Sequence, residues 1–106
     1  MVHVKVFYAR DRDIRAWERE MFYRIDADAP RRLVAEFDLD VKRTRGVRED
    51  LTAHEIAQWV YVGFNGVGEP LAAFTRARVR TMSVGDLIDV DGVKLLRELT
   101  GFRRLG

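Results

Sequence analysis

The chain opens with Val2, Val4, Val6 and Tyr8 alternating with His3, Lys5 and Phe7, a period of two that predicts a strand with one face buried. Beyond the polar run Asp11 to Asp13, the apolar residues Ile14, Trp17, Met21 and Ile25 recur at intervals of three and four, and Asp13 stands where an N-cap would. A helix is therefore expected over roughly 14–23. Ile25 to Pro30 reads as a helix end or loop, because proline disfavours helical geometry in the residue before it. From Ala35 an apolar and acidic alternation follows, with Ala35, Phe37, Leu39 and Val41 inward and Glu36, Asp38 and Asp40 outward. This predicts the second strand.

Thr52 followed three residues on by Glu55 has the form of a capping box, and Ile56, Trp59, Val60 and Phe64 mark one face of the helix it would start. Asn65-Gly66 supplies a left-handed terminator, and Gly68 with Pro70 is expected to keep the next stretch irregular. Val79, Met82, Val84, Leu87, Ile88 and Val90 then lead to Asp91-Gly92, a two-residue hairpin signal between Leu87 to Val90 and Val93 to Leu96. Gly101-Phe102 leaves room for one more short strand. The order strand, helix, strand, helix, hairpin predicts an α+β class: a small, mostly antiparallel sheet with two helices and a C-terminal hairpin.

At 106 residues the chain suits one domain over 1–106, since two cores of half that size would be marginal. Hydrophobic residues make up 47% and charged residues 34%, the balance of a packed globule. The absence of cysteine excludes disulfides, thiol chemistry and zinc sites of the cysteine type. Met1 to Val6 lacks the order of a secretory signal, and the nearly uncharged stretch Ile56 to Gly68 is too short to span a bilayer. The expectation is a cytoplasmic protein with no membrane partner.

Net charge is only +2, yet sixteen of the nineteen basic residues are arginine. Arginine bias suits planar recognition of phosphate or carboxylate, and it also follows from a GC-rich genome, because it is not confined to one segment. Arg76, Arg78 and Arg80 recur at a period of two, so an extended chain would align all three along one edge with Ala77 and Val79 turned inward. Arg43, Arg45 and Arg48, beside Lys42, form a second basic patch, and Arg103 and Arg104 could extend it. Such a surface would meet nucleic acid or an acidic protein surface, unless Glu36, Asp38 and Asp40 lie opposite the row as cross-strand ion pairs. A different class of function is self-association, with Leu95, Leu96 and Leu99 of the hairpin on an edge strand forming the interface of a homo-oligomer. A small-molecule enzyme is the third class.

Nothing else points to chemistry. His3 and His54 form no metal-binding spacing, and none of the acidic runs has the alternation of a calcium loop. Gly63 to Gly68 has glycines but follows a helix and lacks the Gly-Lys-Ser/Thr ending of a phosphate loop. No catalytic residue, metal or cofactor is expected. Trp17 and Trp59 lie on the apolar faces of their helices and read as core.

The stretch Arg80-Thr81-Met82-Ser83-Val84-Gly85-Asp86-Leu87-Ile88, followed by Asp91-Gly92 and then Gly101-Phe102, resembles the C-terminal signature of small YodL-like domains. The resemblance covers the C-terminal half. This chain has Leu95-Leu96-Arg97-Glu98-Leu99 where those domains carry tyrosines, and Thr81 where serine is common. The resemblance implies an accessory protein of a phage, plasmid or other mobile element, and no defined biochemical mechanism. Read physically, Ser83 suits a turn, Gly85 permits a positive φ, and Asp86 can accept backbone N–H bonds where the next strand begins.

Overall fold

The computed structural model describes residues 1–40, 52–66 and 71–106. Within these residues five strands form one antiparallel sheet: β1 (Val2–Ala9), β2 (Arg31–Leu39), β3 (Leu87–Val90), β4 (Val93–Glu98) and β5 (Gly101–Arg104), in the order β2-β1-β3-β4-β5. Among the described residues three helices accompany it: α1 (Asp11–Arg19), α2 (Ala53–Gly63) and α3 (Leu71–Ala77). The α+β class and the antiparallel sheet are as expected, with one helix more than the sequence pattern predicts. Among the described residues no helix is long and apolar enough to cross a membrane.

The period of two in β1 is realised with Val4 and Val6 fully buried and Tyr8 nearly so. Cross-strand register aligns Val4 with Val90 and Val6 with Ile88, and Ile88 with Leu95. That face is covered by α2, whose Ile56, Ala57, Val60 and Phe64 enter the same core as Leu39 and Met82. Phe64 is completely buried, stacks on Phe37 at 6.2 Å and meets Phe74 in a tilted arrangement at 5.5 Å between ring centroids. Truncating such a ring typically costs about 3–5 kcal/mol, so Phe64 is the central fastener between the helices and the sheet.

The two strongest local signals hold. Thr52 caps α2, its Oγ1 accepting from Glu55 N at 3.3 Å. Asp91 and Gly92 turn the β3–β4 hairpin with φ of 50° and 88°, the two positive values a type I′ turn demands.

Other expectations are corrected. Helix α1 begins near Asp11 rather than Ile14, because the Arg10 carbonyl accepts from Asp13 N and Ile14 N. Asp13 therefore sits inside the first turn, bonded to Arg10 Nε at 2.8 Å. The helix ends at Arg19, and Met21 and Phe22 turn left-handed with φ of 54° and 61°. Met21 is thrown out to solvent, 65% exposed.

The stretch expected to be irregular contains α3, which packs on β2. Alanine is the best helix former, and Ala73 and Phe74 turn to the core while Ala72 and Thr75 face outward. The self-association surface is also not as expected. Strand β4 lies between β3 and β5 rather than at an edge, and Leu95 and Leu96 are fully buried, leaving only Leu99 of the three exposed. Among the described strands the edges are β2 and β5. In β2 the register jumps from Val6↔Ala35 to Phe7↔Leu33, a bulge of the kind that discourages edge-to-edge pairing.

On the opposite face of the sheet, Glu36, Lys5, Asp89 and Lys94 stand side by side in register across four strands. Their signs alternate, so each charge has opposite neighbours. One row over, Phe7, Leu87 and Leu96 align and adjoin Ala27 and Ala29 of the loop before β2.

Candidate functional site

The segment from Arg78 to Asp86 returns the chain from α3 to β3 across the end of β1. Asp86 ends it, fully buried. A buried carboxylate must be paired and hydrogen-bonded, and this one is. It accepts from Ala9 N and Ser83 N, both at 2.8 Å, and from Arg80 Nη1 and Nη2 at 2.7 and 3.1 Å. Asp86 N donates back to Ser83 O at 3.1 Å, closing the turn that the Ser83-Val84-Gly85-Asp86 sequence suggests.

Gly85 has φ +98°, and a Cβ there would lie 2.6 Å from the Trp17 ring. The glycine thus serves both a backbone angle that side chains rarely adopt and the docking of α1.

Arg80 is the second half of this corner. Besides Asp86, Nη1 donates to Thr81 O, Nη2 to Ala9 O and Nε to Asp11 Oδ1, at 3.0, 3.2 and 3.3 Å. All five guanidinium N–H groups are then engaged. The guanidinium also lies 4.1 Å from the centroid of the Tyr8 ring, and Tyr8 Oη donates to Arg80 O at 2.8 Å.

Burial alone would lower the Arg80 pKa, but the hydrogen bonds and charge of Asp86 more than reverse this and hold it above the ordinary value. Burial, with the charge of Asp86, also pushes the Tyr8 phenol well above its ordinary value. Tyr8 is a fixed neutral donor. Asp86 has four donors on its two oxygens, so its polar capacity is committed to structure.

Above this corner opens a cleft of about 590 Å³ lined by Tyr8, Ala9, Arg10, Asp11, Arg32, Arg78, Val79 and Arg80. Four arginines from three separate parts of the chain meet there. Arg10 follows β1, Arg32 is the second residue of β2, and Arg78 and Arg80 follow α3. Arg10 is tied to Asp13 through one nitrogen at 2.8 Å, and Arg80 is neutralised by Asp86 with Asp11 at its edge. Among the described residues no ion pair or hydrogen bond engages the side chains of Arg32 and Arg78, and both residues are exposed. The positive surplus of the cleft therefore sits on those two.

The row Arg76, Arg78 and Arg80 does not form a ridge. Arg76 belongs to α3, where neighbours are separated by about 100° around the axis rather than alternating, and it lines a different groove of about 410 Å³ between α3 and β2, together with Glu36 and Phe37. Arg78 turns left-handed with φ 51°, and Arg80 goes inward to Asp86. Arg43, Arg45 and Arg48 of the second patch lie outside the described residues.

Arg10 and Arg32 were not distinguishable in the sequence from the other arginines. Their only signal is position, since each adjoins a strand end that the sheet brings to one corner.

Three other charged groups have structural roles. Glu36 and Asp38 face His3 rather than an arginine row, with Asp38 Oδ1 at 2.8 Å from Nδ1 and Glu36 Oε2 at 2.5 Å from Nε2. The hydrogen bonds to Asp38 and then Glu36 raise the His3 pKa above its ordinary value. The two ring nitrogens point to different carboxylates, so the three groups do not converge on one point as metal ligands would, and among the described residues no such convergent group occurs.

Arg31 donates to the carbonyls of Gly85, Ala27, Ala29 and Asp26, fastening the loop before β2. Arg97 lies 4.0 Å over the Tyr61 ring and 5.3 Å from Phe102. His54 is exposed in the first turn of α2.

No protein-family model, no curated protein and no solved structure matches this chain.

Proposed function

We propose that this domain is a non-enzymatic accessory module that binds a macromolecular partner, nucleic acid, through the arginine-lined cleft. The observation that carries the reading is the meeting of Arg10, Arg32, Arg78 and Arg80 around one opening, with Arg32 and Arg78 lacking any carboxylate partner among the described residues. Guanidinium forks match phosphate geometry, and clustered cations with a surrounding low-dielectric wall concentrate anionic partners. A binding role rather than turnover is supported by the state of the buried polar groups. Asp86, Arg80 and Tyr8 spend their hydrogen bonds on one another, on Asp11 and on backbone, which leaves none of these three poised as an acid or base over the cleft. The likeness of residues 80–88 to YodL-like domains adds the proposed setting, an accessory protein of a phage, plasmid or other mobile element.

The test is binding of the purified protein to labelled single- and double-stranded DNA and RNA across a salt series, beside a charge-reversed Arg32→Glu/Arg78→Glu variant. The logarithm of the affinity is expected to fall linearly with the logarithm of salt concentration, because neutralised phosphates release condensed counterions, and the variant should not bind. Failure to bind any nucleic acid at low salt would remove this reading. One observation favours a second partner class. A surplus of only two arginines also suits a pair of carboxylates on an acidic protein surface, for which the salt dependence would be milder and the arginine substitutions would dominate the loss.

A further inference from the structure

Resting on the nucleic-acid reading above, we infer that the cleft grips duplex backbone phosphates with Arg32 and Arg78, reads no bases, and uses Arg80 only as its floor. The inference starts from a count of donors. A guanidinium offers five N–H groups; Arg80 has spent all of its own on Asp86, Asp11, Thr81 and Ala9. It cannot reach a ligand without breaking the corner that holds β1 to β3. Arg10 has given one donor to Asp13. Arg32 and Arg78 have given none to any described residue, and each can present a two-pronged face to a phosphate.

The cleft also lacks what single-strand binding uses. Proteins that hold unpaired strands stack bases on exposed aromatic rings, and among the described residues the one aromatic lining this cleft, Tyr8, is 4% exposed and covered by Arg80 at 4.1 Å. Phosphates are then the only handle, and their density is highest on a duplex. Binding should be indifferent to sequence and should favour duplex over single strand of the same length.

The backbone of Arg78 supplies a way to test its role apart from folding. It follows the last residue of α3 with φ 51°, the left-handed position after a helix where glycine is the usual and least strained occupant. Arg78→Gly therefore removes the cation while easing the backbone.

The experiment compares wild type, Arg32→Ala and Arg78→Gly by titrating a labelled duplex DNA and its separated strand across a salt series, with a thermal melt of each protein. Expected are tighter binding to duplex, a wild-type slope of log affinity against log salt of about two at roughly 0.9 per phosphate, and a loss of about one unit of slope in each variant. Arg78→Gly should melt no lower than wild type.

Tighter binding to the single strand would overturn the inference. So would duplex binding with an unchanged slope in both variants, which would leave nucleic-acid binding intact but place it elsewhere on the molecule. No binding by the wild-type protein would overturn both the inference and the function it rests on.

Discussion

Two of the places where the molecule pairs cations with carboxylates differ mainly in their access to water. At one end of the sheet Arg80 and Asp86 meet with the carboxylate wholly buried; across β1 and β2, His3 meets Glu36 and Asp38 with side chains about half exposed, at 44%, 43% and 61%. Desolvation makes the first arrangement depend on every partner being present. A buried carboxylate left without its donors has no water to turn to, whereas an exposed one exchanges a protein donor for a solvent one at little cost. The buried corner therefore specifies geometry, and the exposed cluster tunes charge.

The sharpest way to break that contrast is Asp86→Ala, which strands Arg80 half-buried and orphans the N–H groups of Ala9 and Ser83. Removing one member of a buried pair typically costs about 3–5 kcal/mol. Chemical denaturation should show that loss, and a change under about 1 kcal/mol, the range of exposed pairs, would show that the corner behaves like a surface one.

Next in size is Gly85→Ala at the same corner. The new methyl meets Trp17 at 2.6 Å, an overpacking cost of about 1–3 kcal/mol, and the φ of +98° adds strain. Trp17 fluorescence should report its displacement from Gly85 alongside the loss of stability.

The smallest effect belongs to His3→Gln and is one of pH. The folded His3 pKa is raised above 6.5, so the folded state holds its proton more tightly than the unfolded chain. The resulting stabilisation is fully present below pH 6.5 and is lost as pH rises through the folded pKa. Wild-type stability should decline over that interval while His3→Gln is flatter, with Asp91, which accepts from His3 N at 2.8 Å, and Lys5 present in both proteins. Parallel pH profiles for the two proteins would count against the cluster as a titrating unit.

Legibility follows the same divide between local and long-range causes. The Thr52 cap, the Asp91-Gly92 turn, the period of two in β1 and the alternation in β2 each depend on a few consecutive residues, and each is visible in the sequence. Helix α3 was hidden because Gly68 and Pro70 precede it and Arg76, Arg78 and Arg80 also satisfy a period of two, whereas the packing of Ala73 and of Phe74 against Phe64 adds to the alanines' propensity in favour of the helical alternative. Leu95 and Leu96 looked like an edge because the hairpin was visible and the neighbouring β5 was only a two-residue hint. The site was legible in part. Two of its lining residues, Arg78 and Arg80, stood out by spacing, although the spacing argument misplaced them, while Arg10 and Arg32 gained significance only when the sheet brought the ends of β1 and β2 together.

Residue order alone determined where this chain could turn, which faces had to be buried and that its positive charge would be carried by arginine, since these depend on backbone sterics, apolar periodicity and composition. Tertiary structure decided which arginines remain available. Arg80 is consumed by the nearby Asp86 and by the carbonyl of Ala9, distant in sequence, and Arg31 by the equally distant carbonyl of Gly85, while Arg32 and Arg78 face the cleft with their donors uncommitted among the described residues. The competition among partners for a guanidinium is settled by distance and desolvation in the folded state, and neither quantity exists until the strands have paired.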